Sequence, residues 1–283
     1  MRAIEFGDLP KYSAWPAILL GLQDFEPKKK TPAEVMREFE AEKWSSVLAA
    51  VKGDSSLRVS DLDSLRLASP ELALAESGSF YLASAMDAFH AQFGHQVRSI
   101  SRFMPQDAIV ELGAGYGSIL IRMALLKEFK RCSFYAAEYT RSGKSALDIL
   151  AARSGVSVST GFCDFRTLQL SELAIPPNAI IYTSYAMHYV DPLPTDFPRY
   201  FAAMRPACVI HFEPCYEHCD SSTIYGMMCK RYIEINGYNR NLLSILRESR
   251  DKGEIDFLAE EVQVMGANPF LPMSIIAWKP RAS

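Results

Sequence analysis

Val110-Glu111-Leu112-Gly113-Ala114-Gly115-Tyr116-Gly117-Ser118 decides the fold. It joins a short apolar run, Ala108–Leu112, to three glycines at alternate positions and then to an apolar stretch from Ile119 to about Phe129. Glycines between a strand and a helix let the chain turn tightly and let a ligand approach backbone with no Cβ in the way. Toward the C-terminus the alternation repeats. Ser133–Ala137 reads as a second strand, Lys144–Arg153 as helix and Val156–Thr160 as a third strand. Pro176-Pro177 introduces a fourth, Ala179–Tyr185, and Ala207–Phe212 is a fifth. Ser222 to Arg250 reads as helix broken at Gly237, and strands near Glu261–Met265 and Met273–Trp278 close the chain. Strands alternating with helices predict an α/β fold: a doubly wound, mostly parallel seven-stranded sheet covered on both faces. Ligands of such sheets sit at the carboxyl ends of the strands, beside the point where strand order reverses.

Upstream, the first hundred residues read as helix. Thr31-Pro32-Ala33-Glu34 combines a capping box with proline at the first helical position. Met36, Trp44, Val47, Leu48 and Val51 keep helical spacing, and Gly53 suits the exit. Ser69-Pro70 suits the start of another short helix. From Phe80 to Phe103, Leu82, Met86, Phe89, Phe93, Val97 and Ile100 recur three or four apart until Pro105. Two parts are predicted: a helical N-terminal cap or substrate region, 1–104, and a ligand-binding domain, 105–283. Lys28-Lys29-Lys30 reads as a solvated turn.

Composition narrows the class. Of 283 residues, 49% are hydrophobic and 22% charged, which excludes a disordered or low-complexity chain. Thirty basic against thirty-three acidic residues give a net charge of -3, no footprint for nucleic acid or an anionic membrane. No apolar run reaches the roughly 18–20 residues of a membrane helix, and the N-terminus lacks the layout of a secretory signal. A cytoplasmic protein is expected, with association as a homodimer left open. Six cysteines are too few for a disulfide scaffold. Cys215, Cys219 and Cys229, near His211 and His218, match no common zinc spacing, so reduced thiols and no metal are expected.

Glu138 lies 21 residues past Gly117, at the end of the second strand. A carboxylate there accepts hydrogen bonds from ribose hydroxyls, so the sequence asks for a nucleoside-containing ligand. The dinucleotide fingerprint G-x-G-x-x-G would put its third glycine at Ser118, but the sequence reads G-x-G-x-G. With Glu111 two positions ahead, the motif resembles that of the class I S-adenosylmethionine-dependent methyltransferases, a likeness running from about Asp107 to Lys279. The resemblance implies S-adenosyl-L-methionine as cofactor, cradled by Gly113, Gly115 and Gly117. It implies Glu111 near the methionine ammonium, Glu138 on the ribose, Asp164 and Phe165 at the adenine, and Ser184 where the fourth strand lines the transfer site.

The acceptor should then lie over the ends of the fourth and fifth strands, which carry His188, Glu213 and Glu217. Two close carboxylates are costly unless a cation or proton joins them, so a cationic amine or guanidine acceptor, methylated on nitrogen, is the first expectation. In a second reading Glu213 turns back to the backbone of its own loop and Glu217 caps the next helix, a few residues before Ser221-Ser222. His188 is either the base for a hydroxyl acceptor (a sugar or phenol) or a neutral ring packed on Tyr189. A cofactor-binding domain without turnover, serving as an interaction partner, is the alternative from another class.

Overall fold

The first hundred residues supply three strands as well as helices. The structure, a computed structural model, describes residues 1–27, 30–66 and 71–281. Lys28, Lys29 and Ser69-Pro70 fall outside the described residues. Strand β1 is Arg2–Ile4, and a short helix α1, Trp15–Leu19, follows. Helix α2 (Pro32–Met36) runs through a wide π-helical segment, Arg37–Lys43, into α3 (Trp44–Gly53). The Thr31 hydroxyl accepts from the Glu34 N–H and the Glu34 carboxylate accepts from the Thr31 N–H, so the capping box forms. Helix α4 is Val59–Arg66.

Strands β2 (Leu72–Glu76) and β3 (Ser79–Ala83) form a hairpin. Its turn, Ser77-Gly78, has positive φ at both residues, 49° and 81°, the geometry that matches strand twist. The predicted helix from Phe80 therefore begins later. Ser84 caps α5 (Ala85–Ser101), its hydroxyl accepting from the Asp87 N–H at 3.0 Å.

The α/β alternation follows: β4 (Ala108–Leu112), α6 (Ser118–Ala124), β5 (Ser133–Glu138), α7 (Arg141–Arg153), β6 (Val158–Asp164) and a short β7 (Gln169–Ser171). Then come β8 (Ile180–Ser184), α8 (Phe197–Ala203) and β9 (Cys208–Pro214). The break expected at Gly237 separates α9 (Ile224–Ile235) from α10 (Leu242–Asp251), and β10 (Ile255–Gly266) and β11 (Met273–Pro280) end the fold.

One sheet holds eleven strands in the order β1-β3-β2-β10-β11-β9-β8-β4-β5-β6-β7. The expected seven-stranded, mostly parallel sheet is thus corrected. Five central strands, β6, β5, β4, β8 and β9, are parallel, and every other neighbouring pair is antiparallel. The extra strands come from β7 at one edge and from the β1–β3 unit, which pairs through β2 with β10.

Both faces of the centre are covered. Ile109 packs with Leu120, Leu147 and Leu150, while Val110 and Leu112 pack with Phe197, Phe201, Leu243 and Trp278. Burying each such side chain contributes about 1.5–3 kcal/mol, enough to hold the helices in place. Val47 and Val51 of α3 belong to the first of these layers, so the N-terminal region shares the core. The chain leaves β4 for β5 and β6 on one side and returns to β8 and β9 on the other. Strand order therefore reverses between β4 and β8, and a crevice opens at their carboxyl ends.

Candidate functional site

A cavity of about 450 Å³ occupies that crevice, reached by the loops after β4, β5, β6 and β8. Its floor is the glycine turn. Gly113, Gly115 and Gly117 have φ of 81°, 56° and 79°, where a side chain is strained. The Gly113 and Ala114 N–H groups donate to the Ala137 carbonyl at 2.8 and 3.1 Å, which fixes the turn against β5. The Cβ of an alanine at 115 would lie 3.0 Å from the Trp44 ring, so the N-terminal region closes over this glycine.

Three carboxylates face the cavity from the predicted positions. Glu111 is buried on β4, and one of its oxygens has no hydrogen-bond partner. Burial lifts its carboxyl to about 8, against the pull of the Tyr182 phenol and the Leu120 N–H. Glu138 is also buried and accepts from the Gly115 N–H at 2.8 Å, the Thr140 N–H at 3.1 Å and the Thr140 hydroxyl at 2.8 Å. Burial still raises its pKa despite these bonds. Asp164 accepts from the Arg166 N–H at 2.8 Å through one oxygen, and Phe165 beside it stacks on Phe201. Ser184 lines the cavity and accepts a 2.7 Å bond from the Gln96 side chain. All eight predicted cofactor positions converge here except Gly117, which lies at the foot of α6 with its Cβ direction filled by Leu147 at 2.7 Å.

The three predicted catalytic residues do not join them. Glu213 is fully buried and accepts from the backbone N–H groups of Ala186 and Met187 at 3.0 Å and of His188 at 3.3 Å. It is the brace of the 3₁₀ turn Met187–Tyr189. Burial alone would raise its pKa, but His188, 3.4 Å away, and these N–H groups outweigh it and hold the carboxyl below its ordinary value. Glu217 accepts from the Ser244 N–H and hydroxyl, both at 2.8 Å, and so satisfies the first turn of α10. His188 sits behind the cavity wall among Tyr185, Tyr189 and Tyr238. The cradle of two glutamates is therefore corrected: Glu213 is spent on backbone, Glu217 holds Ser244 through one oxygen while its other is buried without a partner, and neither lines the cavity. Glu213→Gln should cost about 1–3 kcal/mol of stability at neutral pH, the range for bonds to a charged group. Because the folded pKa is depressed, that stability is present above 4.5 and is lost as pH falls through the folded value. The acid limb of a stability–pH curve should flatten in the variant.

Other residues close the site without having been singled out as ligands. Val35, Phe39 and Trp44 reach it from the helical run α2–α3, and Asp63 from α4. Asp63 is buried, accepts from the Tyr116 hydroxyl and from Ser118 at 2.9 Å, and pairs with Arg122 at 2.7 Å. Phe89 and Gln92 face it from α5, and Asn268 and Leu271 from the loop after β10. The sequence signalled Trp44 and Phe89 only as members of an apolar helix face. No family model and no curated protein matches the sequence.

Among solved structures, the chain is similar to magnesium protoporphyrin IX methyltransferase from Synechocystis PCC 6803, solved with bound SAM. Identity is 11%, the match spans 92% of this chain and 100% of that one, and the TM-score is 0.50. The two chains share a fold. Geranyl diphosphate C-methyltransferase from Streptomyces coelicolor A3(2) is also similar, at 12% identity over 69% of this chain and 83% of that one, with a TM-score of 0.48. The shared architecture is Rossmann-like α/β, here widened to eleven strands. Among the described residues no helix is long and apolar enough to cross a membrane.

Proposed function

We propose that the protein is an S-adenosylmethionine-dependent methyltransferase acting on a small molecule. The observation that carries this reading is the buried, unpartnered oxygen of Glu111 beside the glycine turn, at the point where strand order reverses. An ammonium group would complete that carboxylate. Glu138 keeps lone pairs for ribose hydroxyls beyond the three bonds it accepts. The second Asp164 oxygen and the Phe165 ring suit an adenine amine and face. The similar enzyme from Synechocystis, solved with bound SAM, supports S-adenosylmethionine as the cofactor.

The cofactor supplies an electrophilic methyl on sulfur and its own leaving thioether. Gly113, Gly115, Glu111, Glu138 and Asp164 would hold the cofactor, and an acceptor would need to be placed in line with that methyl. What the chain contributes is placement and dryness: the glycine turn sets the cofactor backbone, and Trp44, Phe39 and Leu271 exclude solvent. With Glu213 engaged on backbone and Glu217 on Ser244, both outside the cavity lining, nitrogen methylation of a cationic acceptor has lost the carboxylates that motivated it.

Calorimetry with S-adenosylhomocysteine tests the reading directly. A carboxyl at about 8 is mostly protonated at neutral pH, and a neighbouring ammonium favours its charged form, so binding should release a proton. Affinity should rise by up to about tenfold per unit between about pH 6 and 8 and then level. Glu111→Gln should abolish this slope. Binding of NAD in place of S-adenosylhomocysteine would overturn the assignment. For Glu138→Ala, a loss of about 1–3 kcal/mol in affinity is expected, and an unchanged value would move the ribose elsewhere.

A further inference from the structure

Five charged residues line the cavity: Asp63, Glu111, Glu138, Asp164 and Arg166. Each is held by neighbours or faces the cofactor end of the site. Asp63 is saturated by Tyr116, Ser118 and Arg122. The other three acids belong to the cofactor in the reading above. Arg166 donates to the backbone carbonyls of Tyr189 at 3.1 Å and Lys30 at 3.5 Å, and lies over the Tyr139 ring. The remaining wall, past Ser184 toward α5 and the loop after β10, is Phe89, Ile119, Tyr185, Ala267 and Leu271, with two amides, Gln92 and Asn268. The Tyr185 hydroxyl donates to the Leu271 carbonyl at 3.0 Å, so its ring is fixed with the polar end turned away to backbone. Asn268 spends its oxygen on the Phe270 N–H.

Two cavity-lining side chains, Ser184 and Gln92, remain open for an acceptor, with Gln96 behind them. Ser184 accepts its bond from Gln96, a side chain with no exposure, and so keeps its own proton to donate. Gln96 itself retains a buried oxygen without a partner at this same end of the site. One turn earlier on the same helix, Gln92 lines the cavity with no hydrogen-bond partner among the described residues. An ion placed between these walls would lose its water and find neither a counter-charge nor enough dipoles. A flat apolar body would bury well, and one neutral polar group would satisfy Gln92 and Ser184 together.

We propose that the methyl acceptor is an uncharged, ring-bearing, mainly apolar small molecule, oriented by the Gln92 amide and the Ser184 hydroxyl. This inference rests on the methyltransferase reading. The test uses the full chain saturated with S-adenosylhomocysteine and three probes of one shape, 2-naphthamide, 2-naphthoate and 2-naphthylmethylammonium. The amide should bind at least about tenfold more tightly than either ion, the penalty for burying an unpaired charge. Gln92→Leu should weaken the amide about three- to tenfold while leaving S-adenosylhomocysteine affinity unchanged, as for one lost hydrogen bond. Gln92→Glu should turn the preference toward the ammonium probe. Tighter binding of either ion, no binding of any probe to the loaded protein, or an amide affinity indifferent to both variants would overturn the proposal. A chain that fails to take up S-adenosylhomocysteine at all would instead overturn the reading beneath it.

Discussion

Gly113→Ala should bind S-adenosylhomocysteine at least about a hundredfold more weakly, close to 3 kcal/mol. The added methyl would sit 2.4 Å from the Cβ of Ala186, at a φ of 81° that costs an L-residue about 1–2 kcal/mol by itself. Neither side can retreat cheaply. The glycine turn is tied to Ala137 through two N–H groups, and Ala186 is held by the buried Glu213 carboxylate. The strand ends that flank the crevice must therefore spread, and the site spreads with them. Gly78→Ala separates strain from overlap, since its φ is also 81° but nothing lies within 4 Å of the new methyl. That variant should lose only about 1 kcal/mol of stability and keep its affinity. Titration and thermal melting of the two proteins side by side decide the matter; equal affinities would show that the glycine turn does not shape the ligand site.

Asp63→Ala should be the most destabilising single change in the N-terminal region, at about 3–5 kcal/mol, because it removes the carboxylate partner of a partly buried guanidinium and an acceptor of two hydroxyls. At this chain length each kcal/mol lowers Tm by about 2–4 °C. The carboxylate ties α4 to Tyr116 and Ser118 of the glycine segment and to Arg122 of α6. Asp63→Asn keeps an acceptor for the hydroxyls and should fall between the two. Adding Arg122→Leu to Asp63→Ala should cost less than the sum of the single changes, since both act on one pair. Additive losses would show that the pair is not the source of the stability.

The alternating half of the chain was legible because its signals are local. Ala108–Leu112 is apolar but for Glu111 and buried on both faces, the three glycines can only be a turn, and Glu138 falls at a strand end by counting. The N-terminal strands were missed for an identifiable reason. Leu82 continues the helical spacing of Met86 and Phe89, and this masked the short strand Ser79–Ala83 and the Ser77-Gly78 turn before it. The turn was the available clue. Glu213 in β9 and Glu217 just past it misled because a carboxylate near a ligand and one that braces a turn look alike in sequence. Which it is depends on the backbone N–H groups of Ala186, Met187 and His188, twenty-five or more residues away. Asp63 was invisible for the same reason, since its partners lie 53 to 59 positions downstream.

The register Met265↔Glu76 and Gly266↔Ala75 bears on how the chain is made. Leu72–Glu76 leaves the ribosome nearly two hundred residues before its outer partner, and Cys208–Pro214 waits for Met273–Pro280 in the same way. Until then the Leu72–Ala83 hairpin and the central parallel strands lack the strands that join them into one sheet, and pairing at such sequence separation is slow to form. The Ala267–Leu271 wall of the cavity also arrives last. A chain stopped before Ile255 therefore presents two open strand edges, on Leu72–Glu76 and Cys208–Pro214, each a template for pairing with another molecule.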